Sequence, residues 1–176
     1  KTTVGGGETA VGFENIILKK GYKGIKEEAE AKLAELDKND IENFDKMQVY
    51  RSMILSCEAM KIQSDRYADL AEKMAAEETD EMRKQELLTI AESCRRVPWE
   101  PPRTFREAVQ AINLVEVALY CDEISSGYTI GRFDQYLYPY YKRDKEAGIL
   151  TDQDALELLE CLWLKIAESL YGLSKD

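Results

Sequence analysis

Histidine is absent from the sequence. It is the usual general base near neutral pH and the commonest zinc ligand, so its absence excludes Ser-His-Asp triads and most catalytic zinc sites. The four cysteines lie far apart in the sequence and form no C-x-x-C pair, which argues against a redox motif or a metal clip. No signal peptide is recognisable. We therefore predict a cytoplasmic protein with reduced core thiols at Cys57, Cys94, Cys121 and Cys161.

Long hydrophobic runs and an excess of positive charge are missing as well. No apolar stretch approaches the ~18 residues that a membrane span needs, so no membrane association is predicted. The 24 Lys and Arg residues are outnumbered by 34 Asp and Glu residues, which gives a net charge of −10. Nucleic-acid binding needs a concentrated basic face, so we predict no nucleic-acid partner. The acidity favours solubility instead.

What is present is typical of a globular chain. Its 176 residues, 44% hydrophobic and 33% charged, are enough for one domain with a sizeable core. Composition divides it into a Gly-rich flexible lead-in (1–10), a part with long helices (11–97), and a part with a Pro-rich crossing, a buried helix, a loop and a final helix (98–176). The lead-in lacks the pattern of a phosphate-binding loop. The chain starts without methionine, and we expect it to be cut from a longer protein.

The part from 11 to 97 is predicted to be helical throughout. A short helix ends with Gly21 in the C-cap position. The longest pattern, 41–78, repeats apolar residues at steps of three and four without Gly or Pro. A helix of that length spans on the order of 55 Å, which suggests a larger body beside it. A further helix, 80–95, is predicted to take Thr79 as its cap.

The part from 98 to 176 contains two helices of unusual apolarity. Thr104 and Glu107 match a T-x-x-E capping box that opens a helix at 105–122, and the final helix occupies 152–170. Both are apolar nearly all round, so we predict that both are buried, and that the other helices of this chain leave part of their apolar surface uncovered. Strand signals are nearly absent except for GYTIGR. The predicted fold class is therefore mainly α.

Between these two helices the stretch CDEISSGYTIGRFDQYLYPYYKRD breaks the helical pattern. Ser and Gly residues end the first helix, and Gly131 permits a turn that brings Arg132 and Asp134 round. Tyrosines crowd around Pro139, and rings with polar tips suit a wall between a core and a polar cavity. Alternatively, the rings pack a corner, with Arg132 and Asp134 as an ion-paired brace. The pattern alone leaves both interpretations open.

Three blocks carry a resemblance to a known family. VPWEPPRTFREAVQA, GRFDQYLYPYYKRD and GILTDQDALELLECLWLK resemble the glycyl radical enzymes of the pyruvate formate-lyase-like superfamily, in similar order and spacing. The branch is that of glycerol dehydratase, choline trimethylamine-lyase, hydroxyproline dehydratase and 4-hydroxyphenylacetate decarboxylase. The similarity extends over about 11–168. It implies the helical portion of a larger α/β glycyl radical enzyme barrel, missing most of the barrel strands.

The resemblance also implies a function for the complete enzyme. In this family a radical S-adenosylmethionine activase installs a glycyl radical, and a cysteine thiyl then abstracts hydrogen to start lysis or dehydration of a small polar metabolite. The chain lacks the R-V-x-G-Y and G-C-V-E motifs of the two radical-bearing loops, and neither Gly172 nor Cys161 matches them. We therefore expect no catalytic residue, metal or cofactor in this chain, and no activity of it alone. The expected partners are the rest of the same enzyme chain and the activating enzyme, with the full-length enzyme a homodimer.

In such relatives the loop before GRFDQY approaches the substrate cavity, and several place a serine there. Gly127 falls where that serine would be. The residues that the resemblance suggests for substrate binding are Ser125, Ser126, Tyr128 and Thr129. The residues that it suggests as structural braces near the site are Arg132, Phe133 and Asp134.

Two other functions are compatible with the sequence. One is a freestanding acidic helical interaction module without enzymatic activity. The other is a regulatory relative that keeps the scaffold and has lost the chemistry. A reading frame that continues past Asp176 into a cysteine loop and a glycine loop would favour the enzyme over both.

Overall fold

The computed structural model describes residues 8–10, 12–122 and 127–171. In chain order these residues form β1 (Glu8–Ala10), a π-helical turn (Phe13–Ile17), α1 (Leu18–Glu35), a 3-10 turn (Ile41–Asn43), α2 (Phe44–Glu77), α3 (Glu81–Arg96), α4 (Phe105–Asp122), β2 (Gly127–Thr129), α5 (Phe133–Glu146) and α6 (Asp152–Tyr171). The prediction of a mainly α chain is confirmed. None of the described helices combines the length and the apolarity that crossing a membrane requires.

The chain divides into two compact units. One unit contains residues 19–101, and the other combines residues 1–18 with residues 102–176. The long helix predicted at 41–78 is confirmed as α2 with the 3-10 turn before it. The unit at 19–101 is continuous in sequence, whereas the other unit is built from two separated stretches.

In the unit at 19–101, α2 and α3 pack against each other through small side chains. Alanines at the contact permit close approach of the two backbones, and Arg95 ties the helices by ion pairs to Asp69 and to Glu72, the latter at 2.9 Å. The cap of α3 differs from the prediction: Asp80, not Thr79, accepts hydrogen bonds from the backbone N–H groups of Met82 and Arg83. The buried small or sulfur-bearing residues of α2 and α3 are Met47, Cys57, Met60, Ser64, Ala68, Ala71, Ala75, Ala91, Ser93 and Cys94.

A kink in α1 lies at Gly21, where the backbone has φ 65° and ψ 173°. This region of conformational space is essentially restricted to glycine. The kink brings the next two N–H groups to the Pro-rich crossing: Tyr22 N donates to Pro98 O at 3.0 Å, and Lys23 N donates to Trp99 O at 2.9 Å. The predicted helix end at Gly21 is thus a break within one helical segment, stabilised by backbone contacts.

The other unit is organised around α4, whose bounds coincide with the prediction. Half of the predicted capping box forms, because Glu107 N donates to Thr104 Oγ1 at 3.1 Å. The Glu107 carboxylate turns instead to Arg103. Phe105 N donates to Asp144 Oδ2 at 2.6 Å, so a carboxylate of α5 also caps α4. The buried apolar residues of α4 are Phe105, Ala108, Val109, Ala111, Ile112, Leu114 and Val115.

The two apolar helices differ in burial. The prediction that both are buried is right for α4 and wrong for α6, which leaves Leu156, Trp163 and Leu164 49%, 50% and 64% exposed. This exposure agrees with the expectation that part of the apolar surface stays uncovered.

A short parallel sheet joins the two stretches of the same unit. β1 pairs with β2, with Glu8 opposite Gly127 and Ala10 opposite Thr129. The extended piece predicted at GYTIGR is confirmed in β2. The sequence predicts a flexible lead-in at 1–10, but its last three residues form β1; residues 1–7 lie outside the described residues.

The cysteines correct one prediction. All four are free, and Cys57 and Cys94 are buried as expected of core thiols. Cys121 and Cys161 are exposed, because they lie on the outer faces of α4 and α6 in this chain.

Candidate functional site

The segment between α4 and α5 is where the sequence places the candidate site. Ser125 and Ser126 lie outside the described residues. Of Tyr128 only the backbone is described, as the centre of β2, and Thr129 ends the strand with an exposed side chain. The structure thus describes the strand that ends the predicted substrate-binding segment, together with the turn that follows it.

Tyr136 fixes the chain directly after β2. Its hydroxyl donates to Ile130 O at 2.6 Å, and its ring is buried at a centroid distance of 6.1 Å from the ring of Phe13. Gly131 makes the turn between them with φ 71°, a left-handed conformation that favours glycine. Burial raises the pKa of Tyr136, so the hydroxyl stays neutral and able to donate. The end of the strand is therefore held by a buried side chain of α5.

The predicted braces begin α5. Arg132 Nε and Nη2 bind Asp134 Oδ1 and Oδ2 at 3.2 and 3.0 Å, a bidentate pair. The hydrogen bonds from Arg132 and then Gln135 lower the pKa of Asp134 to about 2. The two side chains are 74% and 54% exposed, so in this chain they pair at the surface and do not satisfy buried acceptors. Phe133 packs edge-on against Trp163, with ring centroids 5.9 Å apart.

The tyrosines of α5 do not form one continuous wall. Tyr140 donates to Leu18 O at 3.4 Å, Tyr141 donates to Asp152 Oδ1 at 2.7 Å, and Tyr138 is exposed. Their hydroxyls serve separate contacts to the backbone and to α6. For Tyr140 and Tyr141 this arrangement supports the corner-packing interpretation.

One candidate residue escaped the sequence analysis. Glu116 lies on the buried face of α4 with 4% of its surface exposed, and its Oε1 has no hydrogen-bond partner among the described residues. Burial raises its pKa from 4.5 to about 7. The available signal was the single charged residue inside the apolar run INLVEVALY. Helical periodicity assigns such a position to either face of a helix that is apolar nearly all round, so the pattern did not reveal its burial.

A concave feature lies in the unit at 19–101. A groove of about 470 Å³ lies between α1 and α2. Tyr22 lines it, and burial, together with a smaller electrostatic contribution from Cys57, raises the pKa of Tyr22 to about 12. The lining is mostly apolar and includes Ile25, Val49 and Met53. Its lining residues include no ionised acid or base, so the groove offers packing surface and little chemistry.

Comparison with known proteins identifies the relatives of this chain. The family described as "Pyruvate formate lyase-like" matches residues 1–172. The trans-4-hydroxy-L-proline dehydratase of Clostridioides difficile is 44% identical over 161 residues, which cover 90% of this chain and 20% of that protein. The isethionate sulfite-lyase of Bilophila wadsworthia is 44% identical over 156 residues, covering 87% of this chain and 19% of that protein.

The fold has solved counterparts as well. The crystal structure of a glycyl radical enzyme from Archaeoglobus fulgidus superposes with a TM-score of 0.87 at 37% identity. The match covers 92% of this chain and 21% of the other. The chain thus spans about a fifth of the length of the relatives that it matches.

Proposed function

Because this chain belongs to the pyruvate formate lyase-like family, the family of the glycyl radical enzymes, we propose that it is part of a glycyl radical lyase or dehydratase that acts on a small polar metabolite. The observation that carries the proposal is the extent of the similarity, which covers 90% of this chain at 44% identity in a dehydratase. That relative is named for a hydroxylated substrate. A small hydroxylated metabolite is accordingly the substrate class proposed here.

The proposed reaction begins with hydrogen abstraction from the substrate by a thiyl radical. The glycyl radical of the complete enzyme, installed by an S-adenosylmethionine-dependent activase, would generate that thiyl radical. The sequence matches neither radical-bearing motif, so no radical step is assigned to residues of this chain. The chain contributes scaffold and substrate contacts. We expect it to work in the anaerobic cytoplasm, within a homodimer, together with the rest of the enzyme chain and the activating enzyme.

Within this scaffold the segment Ser125 to Thr129 is proposed to face the substrate. The support is its position: its residues 127–129 form β2, which follows the buried helix α4 in the chain and is held at its end by the Tyr136 hydrogen bond to Ile130 O. A polar loop on a rigid support is the common arrangement of binding residues. Ser126 and Thr129 offer hydroxyls, and Arg132 with Asp134 would stabilise the turn that follows.

The function is tested with the full-length enzyme, its activase and S-adenosylmethionine under anaerobic conditions. Electron paramagnetic resonance should show a glycyl doublet, and product analysis should show turnover of at least one of trans-4-hydroxy-L-proline, isethionate, glycerol or 1,2-propanediol. The 176-residue chain alone serves as the control and should give neither signal. A full-length protein without a doublet would instead favour the regulatory relative, and a doublet on the chain alone would refute the assignment of the radical to other residues.

The role of the loop is tested by Ser126→Ala in the same enzyme. A single hydroxyl contributes little to packing. We therefore expect Ser126→Ala to change the free energy of unfolding by about 0.5 kcal/mol or less and the melting temperature by no more than about 1–2 °C. The change should appear in KM or kcat, by roughly fivefold or more if one hydrogen bond to substrate is lost. A strongly destabilised variant with unchanged kinetics would show that the loop is scaffold.

A further inference from the structure

Glu116 is a buried acid in an apolar setting. Its neighbours on α4, Leu114 and Val115, are each 1% exposed, and Glu116 itself is 4% exposed. Oε1 has no hydrogen-bond partner among the described residues. Burying a carboxyl group without a partner is unfavourable, and an unpaired buried polar atom in a native protein calls for an explanation.

The other buried acids of the described chain show what a structural role requires. Glu107 accepts from the backbone N of Arg103 at 2.5 Å and from its Nη2 at 2.6 Å. Asp144 accepts from Phe105 N at 2.6 Å, and its Oδ1 lies 3.0 Å from Nη2 of Arg143. In both acids, each carboxylate oxygen therefore has a partner at a helix end. Among the described residues, by contrast, Oε1 of Glu116 accepts no hydrogen bond.

Its position relates Glu116 to the candidate site. Tyr120 follows Glu116 by four residues on α4, which places the two on the same side of the helix. Burial raises the pKa of Tyr136 and of Tyr120, and the negative charge of Glu116 raises both further. Tyr136 is the residue whose hydroxyl binds Ile130 O at 2.6 Å, one residue beyond the end of β2. Glu116 therefore acts electrostatically on the residue that holds the end of β2.

The chemistry of the group suits a ligand with a hydroxyl. A carboxyl oxygen accepts a hydrogen bond in either protonation state, and a desolvated ionised carboxylate is a strong acceptor. Because burial places the pKa of Glu116 at about 7, both states are populated near neutral pH. A hydroxyl donor satisfies the vacant acceptor without bringing a second charge into the apolar surroundings.

We propose that Glu116 is a further substrate-binding residue, whose Oε1 accepts a hydrogen bond from a hydroxyl group of a small hydroxylated substrate bound beside β2. This rests on the function proposed above. It adds a contact from the buried helix α4 to the substrate contacts proposed above.

The experiment uses the full-length, activated enzyme and whichever hydroxylated substrate of the panel above it converts. Glu116→Ala should raise KM roughly 10- to 100-fold, as expected for a lost hydrogen bond to a charged acceptor. Glu116→Gln keeps an amide oxygen as acceptor and should raise KM less. Neither variant should lower the melting temperature by more than a few degrees, since Oε1 of Glu116 has no hydrogen-bond partner to lose among the described residues. The matched control is Glu107→Gln, the same substitution at a partnered acid of α4, which should lower the melting temperature and leave KM unchanged.

Each other outcome decides against the proposal. Normal KM in Glu116→Ala, with radical and turnover intact in the wild type, would overturn it and leave the proposed function standing. A marked loss of melting temperature with unchanged KM would show that another part of the enzyme pairs with Glu116 structurally. A wild-type enzyme without a glycyl doublet, or one with the doublet that converts none of the panel, would overturn the proposed function or substrate class, and this inference with it.

Discussion

Gly21→Ala should lower the stability of the unit at 19–101 by more than an alanine substitution costs at a glycine with open space around its Cα, such as Gly148. A Cβ built on Gly21 would lie 2.3 Å from Trp99 O and 2.9 Å from the backbone carbon of Glu100. These are backbone atoms, so no side chain can rotate to make room. Relief would require α1 to move away from the crossing and to stretch the hydrogen bonds from Tyr22 and Lys23 to it.

The size of the effect can be worked out from two contributions. A non-glycine residue at φ 65° and ψ 173° costs on the order of 1–3 kcal/mol. Overpacking against a fixed backbone adds about 1–3 kcal/mol. The free energy of unfolding should therefore fall by about 2–6 kcal/mol. Gly148→Ala is the control, since Gly148 has φ 71° and nothing within 4 Å of the added Cβ, and it should cost only about 1–2 kcal/mol.

The two tryptophans make the assay specific, because Trp99 and Trp163 lie in different units. In a Trp163→Phe background, urea unfolding followed by fluorescence reports the unit that contains Gly21, and a lower midpoint at unchanged slope measures its stability. The control is measured in a Trp99→Phe background. Equal losses for Gly21→Ala and Gly148→Ala would mean that the collision with Trp99 O is relieved at no cost, which would refute the argument.

Four further predictions concern the other unit. Burial raises the pKa of Glu116 from 4.5 to about 7. Folding therefore favours the neutral carboxyl group, and the protein is most stable below pH ~4.5 and loses this stability as the pH rises through about 7. Wild type should be less stable than Glu116→Gln by about 3 kcal/mol at pH 8 and nearly equal to it at pH 4, in urea titrations of the chain. Asp144→Asn removes a charged cap from Phe105 N and should cost about 2 kcal/mol by the same measurement, whereas no loss would mean that water replaces the cap. Arg132→Ala removes an exposed ion pair and should cost less than about 1 kcal/mol; a larger loss would show a buried role. The exposed apolar residues of α6 should make the isolated chain bind the dye ANS or self-associate, and a monomer without dye binding across a wide concentration range would contradict this.

The sequence predicts those features that depend on local contacts. The start of α4 follows from a Thr cap three residues before Glu107, and the length of α2 follows from an uninterrupted apolar period. The cap of α3 was placed one residue early because Thr79 and Asp80 are both good caps, and backbone geometry decides between them. Such one-residue errors are the ordinary limit of local patterns.

Features that depend on distant parts of the chain were missed. β1 exists because its backbone groups find partners in β2, and three residues of ETA carry no strand pattern of their own. Pairing of Arg132 with Asp134 followed from their spacing, but its exposure depends on what covers α5. The burial of Glu116 likewise depends on the packing around α4 and not on its neighbours in sequence.

The pairing of β1 with β2 has a consequence for synthesis on the ribosome. The first strand leaves the exit tunnel about 120 residues before its partner, a delay of roughly 6–24 s at ordinary elongation rates. During that time the continuous stretch 19–101 has already been made. We expect a nascent chain in which the helical hairpin of α2 and α3 is protected from protease first, while β1 stays cleavable until β2 and α5 have emerged. β1 would then be made before most of its own unit and be among the last segments of that unit to reach its native position.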